Sequence, residues 1–250
     1  MPLLFLESGK ERRICPMRPV GLSPRLQALA DQVPQGARFA DIGTDHGRLP
    51  VWLLEQGRIP FAIACDLREG PLLQAQRTAA RHKLSEQLSF RLGDGLEPLF
   101  PQEADVIAIA GMGGETIANI LSAAPWTRET GCLLLLQPMT SAPELRAWLW
   151  RNGYTICQET LVREDRLYVI LTVTGGEMEP LTLAEEWAGR QRAGDKSPIR
   201  EAYLDALIQR AEFALAGLER AGDEEEELRR WKSLVSGLKE LKKEWLTWQK

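Results

Sequence analysis

Histidine is nearly missing: the chain of 250 residues holds two, His46 and His82. Cysteine is sparse as well, and its four positions, Cys15, Cys65, Cys132 and Cys157, are far apart with no CxxC pair. A structural zinc needs several thiolate or imidazole ligands at short spacings, so no metal is expected. Scattered thiols, with Cys65 and Cys132 inside apolar runs, suit a reducing, cytoplasmic setting. No run of 18 apolar residues occurs, which removes the expectation of a membrane-spanning helix. Met1 to Leu6 is too short for the apolar core of a secretory signal, and Glu7 interrupts it. Neither sign of charge dominates: 31 basic against 35 acidic side chains leave a formal charge of -4. That balance lacks the global basic signature of a nucleic-acid binder and leaves only local patches to do such work.

What is present is an alternation of short apolar runs and helical spacings from residue 36 to about 174. Strands are expected over Arg38 to Ile42, Phe61 to Cys65, Leu88 to Leu92, Val106 to Ala110 and Leu133 to Leu136, the last ended by Pro138. Helices are expected over Leu49 to Glu55, Gly70 to His82, Glu115 to Leu121 and Ala142 to Arg151, with Gly153 as a C-cap. Apolar runs without alternation fit a parallel sheet covered on both faces. Tyr154 to Leu161 and Leu167 to Val173 then flank the short turn Arg163-Glu164-Asp165-Arg166, which favours an antiparallel hairpin. The fold class expected is α/β, Rossmann-like, with an antiparallel edge.

Thr174-Gly175-Gly176 marks a boundary. Beyond it, Pro198 to Ala221 carries apolar residues at 204, 208, 211, 215 and 218. After a Gly222-Asp223 turn, with Asp223 as N-cap and the acidic run from Glu224 near the next helix dipole, Trp231, Leu238 and Trp245 repeat every seven residues. Leu234, Leu241 and Trp248 do the same, so an antiparallel coiled coil is expected. The organisation is then a flexible leader over 1–20, a sheet domain over 21–176 and a helical coiled-coil domain over 177–250. Met17 is a candidate start of translation.

The chemistry lies at the strand ends. Asp41-Ile42-Gly43-Thr44-Asp45-His46-Gly47 closes the first strand and opens a helix, but the phosphate fingerprint G-x-G-x-x-G is absent. A pyrophosphate would face Asp41 and Asp45 with little to neutralise it; a ligand carrying an ammonium and a sulfonium suits those carboxylates better. Asp66 ends the second strand, where an acid can accept both hydroxyls of a ribose, and Asp94, in Gly93-Asp94-Gly95, can accept from an adenine amino group. The plainer readings are a strand cap for Asp66 and a turn former for Asp94. Gly111-Met112-Gly113-Gly114 ends the fourth strand and leaves backbone open to a flat group, or simply turns into a helix. Gln137-Pro138 offers an amide to a bound base. His46 caps its helix, orders the carboxylates or touches substrate.

In combination, Leu22-Ser23-Pro24-Arg25-Leu26, Ala40 to His46 with Leu49-Pro50, Glu69-Gly70-Pro71, Gly93 to Leu96, Ile109 to Gly114 and Leu136-Gln137-Pro138 resemble the bacterial tRNA (adenine-22)-N1-methyltransferase family, TrmK. The resemblance covers about residues 20–174, and the coiled tail agrees with it in kind. It implies a class I methyltransferase that takes S-adenosyl-L-methionine, releases S-adenosyl-L-homocysteine and modifies tRNA. It places Asp41, Gly43, Asp45, His46, Asp66, Leu67, Gly93, Asp94, Gly95, Ala110 and Gly111 at the cofactor, and Asp45, Gly111 and Met112 at the reaction edge. Asp45 is the first acceptor expected for the adenine N6 amino group, the Ala110-Gly111 backbone the second. Many members carry an aromatic residue where this chain has Arg48, so Arg48 would replace it by stacking or by a phosphate contact.

The expected substrate contacts are Arg25, Arg48, Gly113, Gly114, Gln137 and Pro138, with Lys239, Lys242 and Lys243 on the tail. Residues 229–250 carry a formal charge of +5, and Lys10, Arg12, Arg13, Arg18 and Arg25 outnumber the acids of the N-terminal stretch. Such patches suit a phosphate clamp, or form a solvated coil face. No membrane or obligate protein partner is expected, and a monomer is. The competing readings are a methyltransferase for another RNA site or a small molecule, and a non-catalytic RNA-binding protein.

Overall fold

The computed structural model describes residues 19–221 and 225–249. The expected leader, with Cys15, the Met17 start and the basic residues Lys10, Arg12, Arg13 and Arg18, lies outside the described residues. So do the Gly222-Asp223 turn, Glu224 and Lys250.

One sheet of seven strands organises the molecule. These are β1 (Phe39–Ile42), β2 (Ala62–Asp66), β3 (Leu88–Leu92), β4 (Val106–Gly113), β5 (Leu133–Thr140), β6 (Tyr154–Arg163) and β7 (Leu167–Gly175), in the order β3-β2-β1-β4-β5-β7-β6. The first five are parallel, while β7 runs antiparallel to both β5 and β6. The chain works outward from β1 to β3 and then crosses back to place β4 on the other side of β1. That reversal opens a crevice at the carboxyl ends of β1 and β4, where open α/β sheets bind ligands.

Helices cover both faces. α1 (Pro24–Asp31), α2 (Arg48–Glu55) and α3 (Glu69–Arg81) pack on a core that includes Phe39, Ala62, Val106 and Leu135. α4 (Gly114–Ala123) and α5 (Ala142–Arg151) close the opposite core around Ile42, Ile63, Ile109 and Leu136. Every residue of β1 and β2 is buried, which is why those strands read as unbroken apolar runs.

Two expected boundaries are corrected. β5 does not stop before Pro138 but runs to Thr140, and β4 runs on to Gly113. Pairing of β5 with β7 ends at Leu136↔Leu171, so the missing N–H of Pro138 costs no ladder bond on that side. The hairpin is also longer than expected, paired from Tyr154↔Gly175 to Arg163↔Leu167.

α6 (Leu183–Ala188) was not anticipated, although Thr182 and Glu185 form a full capping box whose T-x-x-E spacing is visible in the sequence. It packs with α7 (Arg200–Ala221) and α8 (Glu225–Trp248) around Leu204, Ile208, Leu234, Leu238 and Trp245. Both seven-residue sets in α8 join this cluster, so the heptad reading of its seam holds. Gly237 lets α6 approach, since a Cβ there would lie 2.8 Å from that of Ala184.

Two buried arginines converge on the end of α6, and one of them, Arg146, joins the helical unit to the sheet domain. Arg146 of α5, with no exposed surface, donates through Nε and Nη2 to the Glu159 carboxylate of β6, and through Nη1 to the Glu186 and Trp187 carbonyls, each at 3.0 Å. Arg200 donates to the Ala188 and Gly189 carbonyls at 2.7 and 3.1 Å. The carbonyls orphaned at the end of α6 are thereby satisfied by side chains from both units. Arg146→Ala is expected to cost about 3–5 kcal/mol, because it strands a largely buried Glu159 carboxylate as well as two carbonyls. Urea unfolding of parent and variant measures that loss.

Candidate active site

The turn after β1 is unusual backbone: Gly43, Asp45 and Gly47 all have positive φ, at 72°, 51° and 66°. Glycine is needed at two of these places for space as well as conformation. A Cβ on Gly43 would run into Met112 Cε, and one on Gly47 would sit 2.9 Å from Ala75 Cβ of α3. Asp45 tolerates the left-handed region better than most side chains do.

Hydrogen bonds tie this turn to the end of β2. Gly43 and Thr44 both donate their N–H to the Cys65 carbonyl, at 2.9 and 3.0 Å. Asp66 accepts from the Asp45 N–H at 3.3 Å and from the Arg68 N–H at 3.0 Å. Asp41 is 5% exposed and accepts from the Thr44 hydroxyl at 2.7 Å. Burial pushes the Asp41 carboxyl up to about 6; the Thr44 hydroxyl opposes this, and the charges of Asp66 and Asp45 add to it.

These groups border a cavity of about 830 Å³ at the carboxyl edge of the sheet. Of the expected residues, Asp41, Gly43, Asp45, His46 and Arg48 line it from the first turn, and Asp66 with Leu67 from the second. Gly93, Asp94 and Gly95 line it after β3, Ala110, Gly111 and Met112 from β4, and Arg25 from α1. His46 is half exposed and lies 3.6 Å from the Asp45 carboxylate. The residues fit the expected donor: a buried carboxylate for an ammonium, a second acid at a strand end for hydroxyls, and the open Leu67 surface for a ring. Among the described residues, no group of three or more His, Cys, Asp or Glu side chains is placed to hold a metal ion.

Other expected residues stand elsewhere. Gly113 is the N-cap of α4, and a Cβ on Gly114 would run into the Ser141 carbonyl, so Gly114 serves helix packing. Pro138 is buried in β5 beside Gln137. Gln137 is fully buried too: its Oε1 accepts from Arg25 Nη1 at 2.6 Å and from the Gly111 N–H at 3.1 Å, while its Nε2 donates to the Pro138 carbonyl. The expectation that its amide meets a substrate base is corrected, because its polar atoms are already engaged inside the protein.

The tail lysines are a second correction. Lys239 pairs with Glu212 at 2.7 Å, and Lys242 with Asp205 at 2.6 Å and Glu201 at 3.4 Å, so both bridge α8 to α7. Lys243 borders a groove between α6 and α8 that also holds Glu185, Glu240 and Glu244. Lys239 and Lys242 thus belong to an interhelical ion-pair row, while Lys243 is exposed.

Sequence reasoning missed Thr44, Arg68, Thr116, Ile120, Met139 and Glu164 on the cavity wall. Thr44 lay within the quoted motif and its capping of Asp41 was open to inference. Glu164 had no local signal: it comes from the β6–β7 turn, where it accepts from the Arg25 N–H at 3.0 Å. Tyr168 was missed for the same reason, with Arg25 and Arg166 stacked 5.7 and 5.0 Å from its ring centre.

Comparison with known proteins agrees with this geometry. The family described as Methyltransferase domain matches residues 22–171. The tRNA (adenine(22)-N(1))-methyltransferase of Bacillus subtilis is 39% identical over 164 residues, which are 65% of this chain and 69% of that protein. A Streptococcus pneumoniae protein solved in complex with S-adenosyl-L-methionine superposes with a TM-score of 0.76 at 33% identity, over 88% of this chain and 99% of that one. TrmK of M. capricolum, solved with S-adenosyl-homocysteine, gives a TM-score of 0.75 at 25% identity, over 89% and 98%. No described helix is long and apolar enough to cross a membrane.

The Asp41 carboxyl supplies a test of the site's electrostatics. Its pKa in the fold lies above its ordinary 3.8, at about 6, so the fold prefers the neutral form. Stability from this group is therefore complete below pH 3.8 and is lost as pH rises to about 6, at a cost of about 3 kcal/mol. Asp41→Asn should gain stability over the parent by an amount that grows across that window and is constant above it. Urea titrations of both proteins on either side of the window measure the difference.

Proposed function

The chain belongs to the tRNA (adenine(22)-N(1))-methyltransferase family, and from that premise we propose that it methylates N1 of adenosine 22 in bacterial tRNA. The methyl donor is S-adenosyl-L-methionine and the product S-adenosyl-L-homocysteine. The observation that carries this reading is the convergence of the Asp41, Asp45, Asp66 and Asp94 strand ends with the Gly111 edge around one cavity.

The donor supplies an electrophilic methyl on a sulfonium, and Asp41 and Asp66 would hold its ammonium and ribose. The lone pair of adenine N1 attacks that methyl; the N–C bond forms as the S–C bond breaks, and the S–C electron pair stays on sulfur. No proton need leave first. The ring becomes cationic and its N6 amino group more acidic, so an acceptor facing N6 strengthens as charge develops. Asp45, exposed at the cavity wall, and the Ala110 carbonyl are the acceptors available. Met112, held over Gly43, gives the flat base an apolar contact.

Adenine N1 is buried in a paired helix, so the base must be unpaired or turned out to reach this cavity. Exposed Arg48 and Arg68 at the mouth are placed for phosphates or stacking, with Arg25 deeper on the wall. In this reading 21–176 is the catalytic unit and 177–250 a helical unit that adds shape. The protein works as a monomer in the cytoplasm without a protein partner; support comes from a coil seam buried by its own helices.

Incubating unmodified tRNA with labelled donor and mapping the product base tests the proposal. Label at N1 of adenosine 22 is expected; label at another site, or none, overturns it. Asp66→Ala should weaken donor binding by roughly 10-fold or more, as lost charge-assisted hydrogen bonds do. Asp45→Ala should lower kcat more than donor affinity, and calorimetry beside single-turnover rates separates the two. Donor affinity should also fall about tenfold per pH unit below about 6, where Asp41 is protonated.

A further inference from the structure

Gly111 interrupts the β4–β5 ladder. Pairing passes from Ala110↔Gln137 to Met112↔Pro138, so Gly111 is an extra residue on β4 with no partner on β5, at a φ of 76°. A bulged N–H at a strand end is normally left to water. Here it donates to Gln137 Oε1 at 3.1 Å, and Arg25 Nη1 donates to the same oxygen at 2.6 Å. The opposite amide orientation would set a donor against both, so this one is the consistent assignment.

The consequence falls on the preceding carbonyl. The Ala110–Gly111 peptide is trans, so its N–H and C=O point in opposite directions. With the N–H drawn onto the Gln137 side chain, the Ala110 carbonyl is turned away from that amide. Ala110 is on the cavity wall.

We propose that Gln137, held by Arg25, is a positioning residue that aims the Ala110 carbonyl at the exocyclic N6 amino group of the target base, and thereby selects adenine. An amino group at that place donates to the carbonyl, whereas the O6 of guanine would oppose it, oxygen against oxygen. Arg25 also stacks on Tyr168 and receives Glu164 at its backbone N–H, so the hairpin turn fixes the arginine that fixes the glutamine.

This inference rests on the methyl-transfer reading, and its test separates the two. Full-length protein is assayed under single turnover on tRNA carrying adenosine or purine riboside at the target; purine riboside keeps N1 and lacks the amino group. The parent should lose roughly 10- to 100-fold in rate on purine riboside, the scale of one contact made in the transition state. Gln137→Met should be slowed by a similar factor on adenosine and show no further loss on purine riboside, with donor affinity by calorimetry near the parent's. Gln137→Glu, which keeps an acceptor for both donors but gives up the bond to the Pro138 carbonyl, should recover part of the parent's rate and its N6 dependence. Should Gln137→Met fail to fold, Arg25→Met carries the same comparison from the cavity wall. A parent that transfers no methyl overturns the function and the inference together. An active parent whose N6 dependence persists undiminished in the Met variants, or a Gln137→Glu as slow as Gln137→Met, overturns the positioning role alone.

Discussion

Two N–H groups meet on one carbonyl at the crevice of this molecule, those of Gly43 and Thr44 on Cys65. The parallel register Ile42↔Cys65 brings that carbonyl within reach, and the positive φ of Gly43 turns the chain to it. This clip folds the end of β1 across the end of β2 and sets buried Asp41 and Asp66 beside exposed Asp45. Their repulsion adds to the burial that raises Asp41 to about 6. A site of this kind is weakened without its ligand and relieved by a cation, so the strain on the free fold becomes selectivity for a positively charged donor.

The antiparallel edge matters for a topological reason. Because β7 runs against β5, the β6–β7 turn falls at the same end of the sheet as the carboxyl ends of β4 and β5. β6 shares the direction of β5, so its end reaches the carboxyl edge, and the tight turn into β7 keeps the chain there rather than crossing back over the sheet. The turn therefore delivers Glu164 to the backbone of α1, and Arg166 and Tyr168 to the side of Arg25. The element that looked like a mere edge in the chain order buttresses the reaction edge.

Much of this was legible from the chain, for identifiable reasons. Strand positions followed from buried apolar runs, and the acidic strand ends from their place after those runs; both depend on neighbours in sequence. The heptads of α8 were readable because a seam repeats. Illegible were the contacts closed over long separations. Gln137 offered an amide and nothing said that Arg25, 112 positions away, would occupy its oxygen. Lys239 and Lys242 looked free because their partners Glu212, Asp205 and Glu201 lie on the other helix. The break expected at Pro138 assumed neighbours on both sides, but past Leu136 only β4 pairs with β5. Arg146 resembled any surface arginine of an amphipathic helix until Glu159, Glu186 and Trp187 were folded around it.

The ion pairs of the coil also bear on where RNA is gripped. Exposed pairs contribute at most ~1 kcal/mol, so a phosphate can displace Glu212 from Lys239 at small cost. The carboxylate then remains nearby and repels the phosphate it made room for, so little is gained. Arg48 and Arg68 at the cavity mouth have no such rival among the described ion pairs. The coil is held to the sheet domain by Arg146, with Arg200 bracing the end of α6 from the helical side.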